Sequence, residues 1–292
     1  MTVEIRLLGD AAGAEVLGLD MLGTWRPETQ RLVYRAFLDH LVLVFRDRPM
    51  TPKQFTAFSR HFGKLQPHVA KSYRHPEAED IVMMTNVDKD GSFDEVGANR
   101  GVGWHSDLSY DQVPANATLL HAVELPDRGG DTWFANMYRA YETMPEPLKR
   151  RISGRMALYR YGGRTGRSTE HLTSADNAKP DVIHPVVRLH PETGRPAVYV
   201  NPYHTVRIIG MSRAESDALL EEVFAWCDRP EFQWHHRWRL GDTIIWENRS
   251  AVHSGKLDYP LDQRRIFMRA TVRGTNTLGE RRLPPRYEDL AA

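Results

Sequence analysis

From Ile81 onward the chain is written in short β-type runs, and this recurrence limits its fold more than any other feature. The runs cover 81–85, 118–124, 132–135, 156–161, 186–189, 197–200, 232–238, 243–246 and 266–272. Turn chemistry separates them, as in Asp127-Arg128-Gly129-Gly130 and His190-Pro191-Glu192-Thr193-Gly194, where glycine supplies left-handed backbone and the polar residues favour tight turns. A parallel α/β sheet would need regular strand–helix alternation and fits these runs less well. The runs predict an all-β barrel or double-sheet core buttressed by helices.

The helices are few and signposted. Short strands at 3–7 and 14–19 precede a helix over 28–40 and an apolar strand over 41–45. Thr51-Pro52 opens a second helix, with Thr as N-cap and Pro at the first helical position, running to His61 and stopping at Gly63. A third starts near Asn136 and is disturbed by Pro145 and Pro147. A fourth spans 212–227: Ser212 and Glu215 form a capping box, and Leu219, Leu220, Val223 and Trp226 form its apolar stripe. The polar stretch 162–181 is long for a loop in a compact domain and is read as a lid insertion. With no linker or repeat in view, residues 1–292 read as one domain.

Charge narrows the partners. Lys and Arg total 39 and Asp and Glu 38, so the formal net charge is +1. That balance gives no footprint for nucleic acid. No run of 18 apolar residues suggests a membrane span, and the N-terminus lacks a leader pattern. A single cysteine, Cys227, cannot form an internal disulfide and fits a cytoplasmic protein.

The chemistry is carried by Trp104-His105-Ser106-Asp107. If this stretch is extended, His105 and Asp107 point to the same face, because side chains alternate along a strand. An imidazole and a carboxylate so placed supply two adjacent corners of a metal's coordination shell. A second, distant His completes a facial triad of two His and one carboxylate, the ligand set of non-haem iron(II) oxygenases. Alone the motif is weak: with 38 acids in 292 residues, about one His in eight has an acid two places on by chance. His75-Pro76-Glu77 and His190-Pro191-Glu192 are such accidents, set in turns.

A second signal follows strand 243–246, which ends in a polar turn that presents His253. Beyond it, Arg265, Phe267, Arg269 and Thr271 share one strand face, and Ile266, Met268, Ala270 and Val272 the other. The apolar face reads as packed. From the residues alone, the Arg face could meet solvent or line a polar cavity.

These blocks together resemble the taurine dioxygenase / 2,4-dichlorophenoxyacetate dioxygenase family. The resemblance spans most of the chain, through Val44-Phe45-Arg46-Asp47, His61-Phe62-Gly63, the His105 motif, Gly129-Gly130-Asp131-Thr132, Asn201-Pro202 and Trp246-Glu247-Asn248-Arg249. It implies a double-stranded β-helix (jelly-roll) core. It also implies an iron(II)- and 2-oxoglutarate-dependent dioxygenase that uses O2, hydroxylates a small anionic substrate and releases succinate and CO2. His105, Asp107 and His253 would bind iron. Thr132 and Arg265 would hold the far carboxylate of 2-oxoglutarate, and the Arg face would line a cavity. His68 and Arg269 would contact the substrate, favouring a sulfonate, alkyl sulfate or carboxylate such as an aryloxyalkanoate. Lys71 and Gly101 depart from the taurine enzymes' pattern, which turns the expectation away from taurine itself. No catalytic residue beyond the iron ligands is implied, and the family's habit suggests a homodimer or homotetramer.

Two rival readings use the same residues. A zinc hydrolase could employ the triad, but has no use for Arg265 and Thr132. A non-catalytic β-barrel binding protein would normally have lost a ligand. Tyr159 and Tyr161 read as core or as pocket walls, Trp234 and Trp238 as core. His121, His184 and His204 read as structural, and the adjacent His235 and His236 face opposite ways.

Overall fold

The computed structural model of the chain describes residues 2–67, 74–88, 90–163 and 180–279. Its largest layer is an eight-stranded sheet. In spatial order its strands are Glu4–Leu7, Ala14–Leu17, Val42–Phe45, Thr243–Glu247, Ala117–Glu124, Ile266–Val272, Ala78–Thr85 and Arg74–His75. Neighbouring strands are antiparallel except for Ala14–Leu17 on Val42–Phe45. A three-stranded sheet of Gln233–His236, Thr132–Asn136 and Ala251–Gly255 lies against it. Phe134 from this smaller sheet packs on Trp246 from the larger one, ring centres 5.7 Å apart. Two further three-stranded sheets extend the structure, and the whole is the expected jelly-roll core with flanking helices. Among the described residues no helix is long and apolar enough to cross a membrane.

The alternation of side chains assigns each face of the large sheet. Leu43, Leu119, Ile245, Met268 and Ala270 point outward, into a cluster completed by Phe37, Phe55 and Phe58 of the two N-terminal helices and by Phe62 just after the second. Phe55 and Phe58 are fully buried, and each such side chain stabilises the fold by about 1.5–3 kcal/mol. The helices that deliver them are Pro27–His40 and Pro52–Ser59. In the second, Thr51 accepts from the Gln54 backbone, and the Gln54 side chain answers on Thr51, closing a capping box. A short 3-10 turn, Arg60–Phe62, then ends at Gly63.

The remaining helices follow their signals. Proline divides the third into Met137–Glu142 and Glu146–Ile152, with Pro145 at the boundary. Arg213–Cys227 opens on the Ser212–Glu215 capping box and buries Leu219, Leu220 and Val223. Cys227 is buried, and burial pushes its thiol up to about 12.

Two expectations change. His253 is not presented by a turn: it lies in the strand Ala251–Gly255, which pairs with Thr132–Asn136. The strands Val182–Pro185 and Thr205–Ile208, which both pair with Met156–Tyr159, escaped the pattern. Most of the proposed lid, residues 164–179, lies outside the described residues.

Candidate metal centre

The inward face of the large sheet, the smaller sheet above it and the loops at one end enclose a cavity of ≈ 640 Å³, within the range of small-molecule sites. Arg265, Phe267, Arg269 and Thr271 all line it. The face that sequence alone left open therefore meets the cavity, because the smaller sheet covers it.

His105, Asp107 and His253 converge at the wall of this cavity. One ligand atom from each lies within 4.8 Å of the others, and all three residues are buried. His105 is held by an antiparallel bridge to His253, with backbone bonds of 3.0 and 2.8 Å between the two residues. Extended backbone ends there, since a turn begins at Asp107. The imidazole rings are 4.1 Å apart. Both turn Nε2 toward Asp107, at 3.9 Å for His105 and 3.7 Å for His253.

Protonation suits a cation. Nδ1 of His105 lies 2.7 Å from the Gly103 carbonyl. It must be the protonated nitrogen there, leaving a lone pair on Nε2. Burial lowers the His253 imidazole well below its usual value, aided by repulsion from His105, so it is neutral. Burial would raise the Asp107 carboxyl, but the Arg269 guanidinium, the two imidazoles and the Thr118 hydroxyl outweigh it and hold it well below the usual range. One carboxylate and two neutral imidazoles give the donor set for a divalent metal with open positions.

Outside the triad, Thr118 donates to Asp107 Oδ2 at 2.6 Å, and Asn248 donates to Thr118 at 3.0 Å. Asn248 Oδ1 accepts from the Asp107 backbone N–H at 3.2 Å and from the Trp246 indole at 3.1 Å. Asn248 is held by its neighbours. Glu247 is fully buried and accepts from Arg249 Nε at 2.7 Å, from Arg249 Nη2, and from the Arg249 backbone at 2.9 Å. His190 Nε2 is 3.3 Å from its second oxygen. Glu247→Ala should destabilise the protein by about 3–5 kcal/mol, because it strips the main partner from a buried cation. Urea unfolding of the variant measures this loss.

Arg265 and Thr132 also meet in the cavity wall. The Arg265 guanidinium donates to the Gly130 carbonyl through Nε at 3.2 Å and Nη2 at 2.8 Å, and lies 4.4 Å from the Phe267 ring. Burial lowers it to about 10, so it stays charged at neutral pH. It makes no ion pair with a described carboxylate. Gly130, at φ +70, permits this approach: a Cβ there would lie 2.8 Å from Arg265 Nε. Thr132 Oγ1 accepts from the Trp238 indole at 3.1 Å, leaving its own hydrogen to donate.

Arg269 pairs through Nη2 with Asp107 Oδ1 at 2.7 Å, while its Nε is buried without a partner among the described residues. His68 and Lys71 lie outside the described residues. Tyr161 lines the cavity and Tyr159 is core. His204, read as structural, reaches the cavity wall, packed against Tyr110 and Tyr203 at 4.8 and 4.7 Å. Sequence reasoning also missed Thr118 and Asn248, whose partners are 11 and 130 or more residues away. The Asn248 position within the Trp246-Glu247-Asn248-Arg249 block was the one available signal.

Comparison with known proteins gives a consistent set. The family model described as taurine catabolism dioxygenase TauD, TfdA family matches residues 4–271. The alpha-ketoglutarate-dependent 2,4-dichlorophenoxyacetate dioxygenase of Burkholderia sp. (strain RASC) is 34% identical over 98% of each chain. An alkylsulfatase of Acinetobacter baylyi is 30% identical over 95% of this chain and 87% of its own. The crystal structure of a taurine dioxygenase from Burkholderia xenovorans superposes with a TM-score of 0.80 at 28% identity, covering 96% of this chain and 92% of that one.

Proposed function

Because the chain belongs to the TauD, TfdA family of dioxygenases, and with it uses iron(II), 2-oxoglutarate and O2, we propose that it hydroxylates a small anionic organic substrate at a centre made by His105, Asp107 and His253. The observation that carries this reading is the convergence of those three ligand atoms within 4.8 Å, in a cavity whose wall also holds Arg265 and Arg269. Once bound, iron with its co-substrates supplies the oxidative decarboxylation of 2-oxoglutarate to succinate and CO2 and the oxidant that hydroxylates a C–H bond.

The chain's own residues do the positioning. His105 keeps its proton on Nδ1 against the Gly103 carbonyl and offers Nε2. Thr118 and Asn248 hold the Asp107 carboxylate at one angle. Arg265 and Thr132 take the far carboxylate of 2-oxoglutarate, for which a planar guanidinium offers two parallel donors. Leu108, Leu120 and Phe267 line the same cavity and give it an apolar wall. A zinc hydrolase would leave Arg265 without a task, and family membership gives that alternative no support.

Arg269 is the substrate's anchor in this reading, through the buried Nε that has no described partner. The names of the relatives point to substrates bearing a carboxylate, a sulfate or a sulfonate, and a guanidinium binds all three. The test is succinate formation and O2 uptake across a panel of aryloxyalkanoates, alkyl sulfates and sulfonates, with neutral analogues as controls. Turnover confined to anions is expected, and turnover of the neutral analogues alone would contradict it. Arg269→Gln should raise KM for the accepted anion about tenfold or more, the worth of one charge-assisted bond, with KM for 2-oxoglutarate little changed. An unchanged substrate KM would remove Arg269 from the substrate site.

A further inference from the structure

Bulky rings crowd the His105 imidazole. Those of His253, Tyr203 and His204 have centres 4.1, 5.3 and 6.2 Å from it. Gly101 is the contrast. It lines the cavity beside the same imidazole without a side chain to fill the place. A Cβ there would lie 3.6 Å from His105 Cε1 and 3.9 Å from Nε2, and would meet nothing else within 4 Å among the described residues. Nε2 is the atom that His105 offers to the metal, so this space adjoins the reacting centre.

The glycine is held in place. Its carbonyl accepts from the Gly255 N–H at 2.8 Å, and Val102 forms a parallel bridge to Gly255. Gly255 ends the strand that carries His253, so this part of the wall is tied to a ligand-bearing strand. The φ of +80 at Gly101 is left-handed backbone, which favours glycine by itself. Space is a separate consequence. Both Cβ distances are ordinary van der Waals separations. A methyl at this position would rest against His105 and take its volume from the cavity, not from the core.

Arg269, the substrate's anchor in the reading above, pairs with Asp107 at 2.7 Å. The bound anion and the metal ligands are then close neighbours, and the carbon to be oxidised lies near both. We infer that Gly101 sets specificity at that carbon. The room it leaves beside His105 accepts a methyl-sized branch there, so the enzyme takes branched anions as readily as unbranched ones. This inference rests on the hydroxylase reading and on Arg269 as the anchor.

Calorimetry on the full chain, loaded with Mn(II) and 2-oxoglutarate, reads binding without turnover. The probes are matched pairs that differ by one methyl: phenoxyacetate with 2-phenoxypropionate, and ethyl with 2-propyl sulfate. In the natural protein the members of a pair should bind within a few-fold of each other. Gly101→Asn keeps the left-handed backbone, which asparagine tolerates. It should weaken the branched member about tenfold or more relative to its partner, the worth of one methylene in a filled pocket. Rejection of the branched member by the natural protein, a comparison that needs no variant, overturns the proposal. So does an equal weakening of both members in Gly101→Asn, which would leave Gly101 a backbone role only. Matched neutral amides separate this inference from the anion reading. If they alone bind, Arg269 loses its role as anchor, and the ratio between branched and unbranched amides decides for or against Gly101.

Discussion

Alanine at Asp107 should leave no measurable turnover, in a protein that still folds. The carboxylate is the one anionic member of the triad, and without it two neutral imidazoles must hold a divalent metal unaided. The surroundings are built for the ionised form: Thr118 donates to it, the Asp107 backbone is fixed by Asn248, and Arg269 pairs with it. Thr118→Val removes only the outer hydrogen bond and should cost about ten- to a hundredfold in metal affinity. Iron titration followed by succinate assay separates the two variants. Full activity in Asp107→Ala would remove Asp107 from the metal.

Arg265→Met should act on a different quantity. The guanidinium is half-buried and charged, makes no ion pair with a described carboxylate, and keeps its fork oriented by donating to Gly130. Losing charge-assisted bonds to the far carboxylate of 2-oxoglutarate removes about 3 kcal/mol, roughly a hundredfold in KM for that co-substrate. Arg265→Lys keeps the charge but not the planar fork, and should fall between. Initial rates against 2-oxoglutarate measure both variants. An unchanged KM would send the co-substrate's carboxylate elsewhere.

What could be read from the residues, and what could not, follows the range of the interactions. The capping boxes at Thr51 and Ser212 are local, and both helices begin where those residues stand. The metal motif at His105 was legible through its spacing, but the strand carrying His253 was not. The stretch 249–255 has no apolar alternation to announce it. It is extended because Thr132–Asn136 pairs with it and His105 bridges to it. The same limit applied to the strand Ile266–Val272. Its two faces were separable by alternation, yet only the covering sheet decides that the Arg face meets a cavity and not solvent. His204 shows the converse error: an unremarkable histidine reaches the cavity because Asn201 accepts from its backbone N–H at 2.9 Å and shapes the turn around it.

The central claim is that His105, Asp107 and His253 hold iron(II) with 2-oxoglutarate beside it. Anaerobic addition of iron(II) and then 2-oxoglutarate, followed by visible absorption, tests it most directly. A weak charge-transfer band that needs both additions, and that is absent in His253→Ala, is the predicted result. Bound iron with no such band, or a band undiminished in His253→Ala, would contradict the account.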